Sequence, residues 1–260
     1  MRNRSSSDDA LDLLRAVRMR GRLVCGVIVG FDPFGFIGAD GRPAGYECDF
    51  ATGLAAYLGV RAELVALQAS QRLTALRDGQ VDVLAALFVP NDERSIHADF
   101  SLPYSRDDCQ LLVRDADPWQ QVDDLAFGRI AVVIGTSLPH ELTRRYPNAN
   151  VRAYPDAAAA HVGLAAGEVD ALGLRATSLI DLMSSPIGGV ATRLLPQVLL
   201  APETGFALRK NEPGMLEVMN DFLTEAELSG LAQRIFDRWL GSGSRFKMTR
   251  RFRVGCVDDL

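Results

Sequence analysis

Gly79 to Tyr104 reads GQVDVLAALFVPNDERSIHADFSLPY, and the fold follows from this stretch. Leu73, Leu76 and Arg77 lead into Gly79, and glycine directly after a helical run is a stop signal. Val81 to Val89 is almost wholly apolar, which suits a short strand covered on both faces, as in a parallel sheet. Pro90, Asn91 and Asp92 form a turn, and Arg94 follows it. A cation just beyond the carboxyl end of a buried parallel strand stands where open α/β sheets take up ligands.

The pattern around Gly79 recurs. Leu76-Arg77-Asp78-Gly79-Gln80-Val81-Asp82 is echoed by Leu164-Ala165-Ala166-Gly167-Glu168-Val169-Asp170. Each copy reads as helix end, Gly, x, Val, Asp, then a buried strand. Each also sits inside its own run of alternating strands and helices, so two α/β lobes built alike are predicted. In chain order, a helix capped by Ser7, Asp8 or Asp9 ends at Gly21, and Leu23–Val29 is a strand. Tyr46–Phe50 is extended and leads into a helix ending near Leu58. Val60–Leu67 is a strand and Arg72–Asp78 a helix. Strands are expected at Cys109–Val113, Arg129–Ile134, Asn148–Tyr154 and Ala171–Leu174, and Leu194–Leu200 is extended. Gly135-Thr136-Ser137 opens a helix with Pro139 in its first turn, where a missing N–H costs nothing. Glu203–Leu208 returns to the first lobe, and two amphipathic helices follow through Leu240. The expected divisions are 1–108, 109–203, 204–242 and a basic tail, 243–260, read as solvated.

Composition excludes several classes. The 260 residues are 48% hydrophobic, enough for a sizeable core. Lys+Arg number 28 and Asp+Glu 33, a net charge of −5, without the basic excess that nucleic-acid binding needs. No apolar run is long enough to span a bilayer. Cys25, Cys48, Cys109 and Cys256 show no CxxC spacing and are expected to be free thiols, mostly buried. His97, His140 and His161 are not clustered, so neither metal nor other cofactor is expected. The opening MRNRSSSDDALDLL lacks the apolar core of a secretory signal.

Taken together, G-x-V-D, an apolar strand, Glu93-Arg94 and D-F-S-x-P-Y resemble the solute-binding proteins of polar amino-acid ABC importers, from Arg22 to about Trp239. That resemblance implies a two-lobed type II periplasmic binding protein fold. Each lobe would be a mostly parallel sheet flanked by helices, with two crossover strands as a hinge. It also implies an extracytoplasmic location, despite the polar N-terminus, and a monomer that hands a small solute to an ABC permease without inserting into the membrane.

In such proteins the arginine of the E-R pair grips the ligand's carboxylate, which here is Arg94; a surface ion pair with Asp92 or Glu93 is its competing use. Gly135 and Thr136 would offer amides at a helix start to the same anion. Phe31 matches a ring that packs on the ligand, whereas Phe34 reads as core. Leu87 and Val89 fall among the ligand-binding positions at the strand's end.

Departures from the family pattern shape the expected ligand. Val89 replaces a small hydroxyl residue, Ala69 stands where a second ring is common, and Asn91 replaces a turn threonine. Arg175 stands where amino-acid binders carry an aspartate for the ligand's ammonium, and an arginine cannot accept a hydrogen bond. Either Arg175 points into water or it adds a second cation to the site. The expected ligand is therefore an organic anion or acidic amino-acid derivative. A dehydratase of cyclic acids on the same fold and a ligand-sensing module are the alternatives.

Overall fold

A computed structural model describes residues 12–134, 136 and 138–254. The chain divides into two compact units, Met1–Ser105 with Glu203–Leu260, and Arg106–Pro202. It therefore passes between them twice, at Ser105–Arg106 and at Pro202–Glu203.

In unit 1, α1 (Leu13–Arg20) is followed by β1 (Arg22–Ile28), a hairpin of β2 (Phe36–Ile37) and β3 (Pro43–Ala44), and α2 (Tyr46–Tyr57). Next come β4 (Arg61–Leu67), α3 (Arg72–Arg77), β5 (Val83–Ala85), α4 (Asp92–His97) and β6 (Ala98–Arg106). Unit 2 holds β7 (Cys109–Arg114), β8 (Arg129–Val133), α5 (Leu138–Arg145), β9 (Asn150–Tyr154), α6 (Ala157–Ala165), β10 (Ala171–Arg175), α7 (Ala176–Met183) and β11 (Thr192–Leu194). β12 (Glu203–Arg209), α8 (Pro213–Leu228) and α9 (Leu231–Trp239) complete unit 1.

The two sheets share one plan. Unit 1 has the order β4-β1-β5-β12-β6, and unit 2, read from its other edge, β9-β8-β10-β7-β11. In each, three parallel strands are followed by an antiparallel one. The sequence echo makes the same bonds in both units. Gly79 and Gly167 end their helices with positive φ of 70° and 76°, a conformation glycine adopts without steric cost. Asp82 N–H donates to Val24 O, and Asp170 N–H to Arg129 O, each at 2.8 Å. The two carboxylates then accept from the same neighbours, Asp82 from Val24 N–H at 2.7 Å and Asp170 from Arg129 N–H at 2.8 Å. Each aspartate thus fixes a parallel register from both its main chain and its side chain.

Both faces of the unit 2 sheet are covered. Leu111, Val113, Ile130, Val132 and Ala171 join one apolar cluster, while Leu112, Ala131 and Leu172 join another. Strands buried on both sides need unbroken apolar sequence, which is what β7, β8 and β10 have. Unit 1 is centred on packed rings: Phe50 and Tyr104 stack with centroids 4.3 Å apart, and Tyr104 and Phe206 meet at a tilt, 4.7 Å apart. Phe34, 2% exposed, meets Tyr46 edge-on, as expected of a core ring. Pro103 lies in β6, an edge strand, where a missing donor is tolerated.

Four expectations change. Tyr46–Phe50 is helical, not extended, because Pro33 O and Phe34 O accept from Tyr46 and Glu47 N–H and satisfy the first turn of α2. Gly45 permits that approach: at φ 132° a Cβ there would stand 2.5 Å from Phe34 O. α1 is capped by Asp12, whose carboxylate accepts from Leu14 and Arg15 N–H; Ser7, Asp8 and Asp9 lie outside the described residues. β5 is three residues long, not nine, because Leu87 turns to φ 48°. The tail is docked as far as Val254. Arg250 forms a two-pronged pair with Glu227, and Phe246 and Val254 are buried.

Cys25, Cys48 and Cys109 are free and buried, while Cys256 lies outside the described residues. No helix among the described residues is long and apolar enough to cross a membrane.

Candidate functional site

In unit 1 the parallel strands β4, β1 and β5 end side by side, with Ile28 opposite Leu67 and Val27 opposite Ala85. Beyond those three carboxyl ends follow Ala69, Phe31, and the segment 87–94. Phe31 is 48% exposed and held by paired main-chain bonds with Gly35, so its ring is available rather than packed away. Leu87 is 9% exposed, and its carbonyl accepts from Val89 N–H at 3.2 Å. Val89 is half-buried, and its carbonyl too is in use.

Arg94 is the best-formed feature of this edge. Asn91 caps α4 by accepting from Arg94 N–H at 2.8 Å, which fixes where the arginine starts. The side chain then turns back. Nη1 donates to Val89 O at 2.7 Å, and Cζ lies 4.5 Å from the centre of the Phe88 ring. Among the described residues Arg94 has no ion-pair partner, so the expected competitors Asp92 and Glu93 do not hold it. Burial lowers the guanidinium pKa from its usual value, with Glu93 opposing weakly. Half-buried, anchored by one hydrogen bond and stacked on a ring, Arg94 keeps Nε and Nη2 for an external acceptor.

The sequence reading missed Arg72. Its Nε donates to Ala69 O at 2.9 Å, and Nη1 to Ala86 O at 2.8 Å and Leu87 O at 3.0 Å. Its Cζ lies 5.2 Å from the same Phe88 ring. Helical spacing marks Arg72 only as the first residue of α3, and only the backward turn of the chain at Leu87 brings acceptors to it.

In unit 2, β9, β8 and β10 are likewise parallel. Ala171 pairs with Ile130, so continuing that register sets Arg175 level with Ile134, where β8 gives way to the turn before α5. Thr136 in that turn is exposed, and its Oγ1 donates to Val133 O at 2.9 Å. Gly135 lies outside the described residues. Arg175 is half-buried, and its guanidinium has no hydrogen-bond or ion-pair partner among the described residues. Its electrostatic neighbour is Asp107, which is 1% exposed and accepts from Thr177 Oγ1 at 2.6 Å and Thr177 N–H at 3.4 Å. Burial pushes the Asp107 carboxyl up to about 6, against the lowering effect of Thr177 and then Arg175. Asp107 was not singled out from sequence; its place beside Thr177 depends on the pairing of β7 with β10.

No cluster of His, Cys, Asp and Glu suited to a metal occurs among the described residues. A groove of about 570 Å³ on unit 1 is lined by helix residues, including Thr52, Tyr57, Phe222 and Ile235, and none of the residues above borders it.

Two α/β units of matching topology, with the chain passing between them twice, are the architecture of the type II periplasmic binding class. The chain belongs to the bacterial extracellular solute-binding proteins, family 3, whose model matches residues 23–242. It is a solute-binding protein of the amino-acid ABC importer type. The L-cystine-binding protein TcyJ of Escherichia coli K12 is 31% identical over 88% of this chain and 86% of its own length. The glutamine-binding protein GlnH of Bacillus subtilis is 24% identical over 91% and 87%. Among solved structures, an ancestral cationic amino-acid solute-binding protein matches with a TM-score of 0.71 at 26% identity, covering 88% of this chain and 99% of that one. These three relatives are binding proteins.

Proposed function

We propose that this protein captures a small, anionic, carboxylate-bearing solute outside the cytoplasmic membrane and delivers it to an ABC permease without chemical change. Arg94 carries the reading: a half-buried guanidinium stacked on Phe88, with one hydrogen bond and no ion pair among the described residues. The assignment gives Arg94 a ligand carboxylate, Phe31 the ligand's carbon frame, and Leu87 and Val89 its surroundings. On unit 2, Thr136 and Arg175 are the residues assigned to an anionic group.

Charge decides between an anion and a plain α-amino acid. At an effective dielectric of about 20, like charges about 4 Å apart repel by about 4 kcal/mol, nearly a thousandfold in affinity. An arginine at that distance from an ammonium excludes it, and the same cation favours a carboxylate by a comparable gross amount before desolvation. The relatives named above for cystine, glutamine and cationic amino acids mark the family's ligand range, and this chain's cations favour its acidic side.

Calorimetric titration with succinate and glutarate, on wild type and Arg94→Ala, tests the assignment. Arg94→Ala is expected to weaken binding by about 2–5 kcal/mol, because a desolvated carboxylate loses its partner. Its melting temperature should stay near that of wild type. Unchanged affinity in the variant would remove Arg94 from the site.

A further inference from the structure

The turn that carries Phe31 is gripped by the C-terminal end of the chain. Phe31 and Gly35 exchange main-chain bonds, each 2.9 Å long, and a Cβ on Gly35 would stand 1.9 Å from Ile28 O, so the turn is pressed against the end of β1. Phe36, which follows it, meets the Trp239 ring edge-on at 5.7 Å, and Trp239 Nε1 donates to Asp49 at 2.7 Å. Asp32, the residue after Phe31, pairs with Arg245, whose Nη2 lies 3.1 Å from Asp32 Oδ2. The Arg245 guanidinium also lies 4.7 Å from the centre of the buried Phe246 ring. Arg245 stands beyond residues 23–242, the stretch that matches the family model.

This ion pair sets the charge beside the Phe31 ring. The Asp32 and Arg245 side chains are 45% and 51% exposed, so the pair adds little to folding stability. Its consequence is electrostatic. Neighbouring Cα atoms are about 3.8 Å apart, so a charge on Asp32 stands near whatever packs on Phe31, on the scale of the Debye length of about 8 Å at physiological ionic strength. An unmatched carboxylate there would repel an anion and attract a cation. Arg245 cancels that charge.

We propose that Arg245 is a specificity-determining residue that neutralises Asp32 and so keeps the Phe31 edge of the site favourable to anionic ligands. It acts through Asp32 rather than by touching the ligand. The inference rests on the reading of Phe31 as a ligand contact and of the ligand as an anion. An Arg245 that served only to pack the tail would act whatever the charge of residue 32.

Glutarate is titrated by calorimetry into wild type, Arg245→Ala, Arg245→Lys, Asp32→Asn, the double variant with Asp32→Asn and Arg245→Ala, and Phe31→Ala, with circular dichroism to confirm folding. At about 0.01 M salt, Arg245→Ala should weaken binding by about threefold to fivefold, the scale of one exposed charge. Asp32→Asn should tighten binding by a similar factor. The double variant has the net charge of wild type and should return to wild-type affinity. Arg245→Lys keeps the charge and should stay close to wild type. At about 1 M salt, where the Debye length falls to about 3 Å, these differences should vanish. Unchanged affinity in Arg245→Ala, or a double variant as weak as Arg245→Ala alone, overturns the role of Arg245. If Phe31→Ala binds glutarate as wild type does, the ring is not at the ligand, and the reading beneath the proposal is overturned instead. Failure of wild type to bind glutarate overturns the anionic ligand and the proposal with it.

Discussion

Asp107 shows how a single carboxyl couples burial to pH. It is 1% exposed, its oxygens accept from Thr177, and burial pushes its pKa up to about 6. The folded state therefore holds this proton more tightly than the unfolded chain does. Stability from that difference is present in acid and is lost as pH rises through about 6. Against an ordinary aspartate the shift corresponds to a cost of up to about 3 kcal/mol once the group is charged. Asp107→Asn removes the charge while its amide oxygen can still accept from Thr177 Oγ1. Urea titrations from pH 4 to pH 8 should show the variant close to wild type at pH 4 and more stable above pH 7. A stability difference that does not change with pH would mean that folding does not shift the Asp107 carboxyl from its ordinary value. At this same scale Arg94 was marked in the sequence as a cation just past an apolar strand, and Arg175 by its departure from the family pattern. Arg72 and Asp107 were not: their partners are a turned-back carbonyl and a hydroxyl from a distant segment.

At the scale of elements, the repeated G-x-V-D pattern carried real structural information. It specified two helix ends, two parallel registers and the shared strand plan, since Asp82 and Asp170 bind their neighbouring strands alike. Apolar runs located the strands but overstated β5, because hydrophobicity extends through Val89 while the ladder stops at Ala85. Ala86, Leu87 and Phe88 stay buried beyond the end of the ladder, with two arginines and Phe100 against the Phe88 ring. The basic tail misled for a related reason. Charge density suggests solvation, yet the Arg250 side chain is 6% exposed and reaches Glu227 of α8, with Phe252 meeting Phe236 of α9 edge-on at 6.3 Å. Val254 N–H adds a third donor to the Glu227 carboxylate at 3.0 Å. Arg250→Ala should destabilise the protein by about 1.5–3 kcal/mol, the usual worth of hydrogen bonds to a charged group. Chemical denaturation measures this directly, and a loss below about 0.5 kcal/mol would show the tail to be a passive appendage.

The whole molecule is two α/β units with the chain passing between them twice. Alternating elements and their echo made that organisation readable before any coordinates. Ligand chemistry was less readable, since it depends on which cations lack partners once the chain has folded. Arg94 and Arg175 lack ion-pair partners among the described residues, whereas Arg114 and Arg129, equally prominent in sequence, are matched to Asp170. That difference between matched and unmatched arginines is the basis for an anionic ligand, and it has a direct test. Thermal denaturation of the wild-type protein should be followed across a panel of mono- and dicarboxylic acids, acidic amino-acid derivatives, and neutral and basic α-amino acids. A ligand present at about a hundred times its dissociation constant stabilises the native state by about 2.7 kcal/mol, a readily measured rise in melting temperature. The account predicts saturable stabilisation by one or more acids bearing two anionic groups, and none by neutral or basic amino acids. Saturable stabilisation by neutral or basic amino acids, with no response to any of the acids, would contradict it.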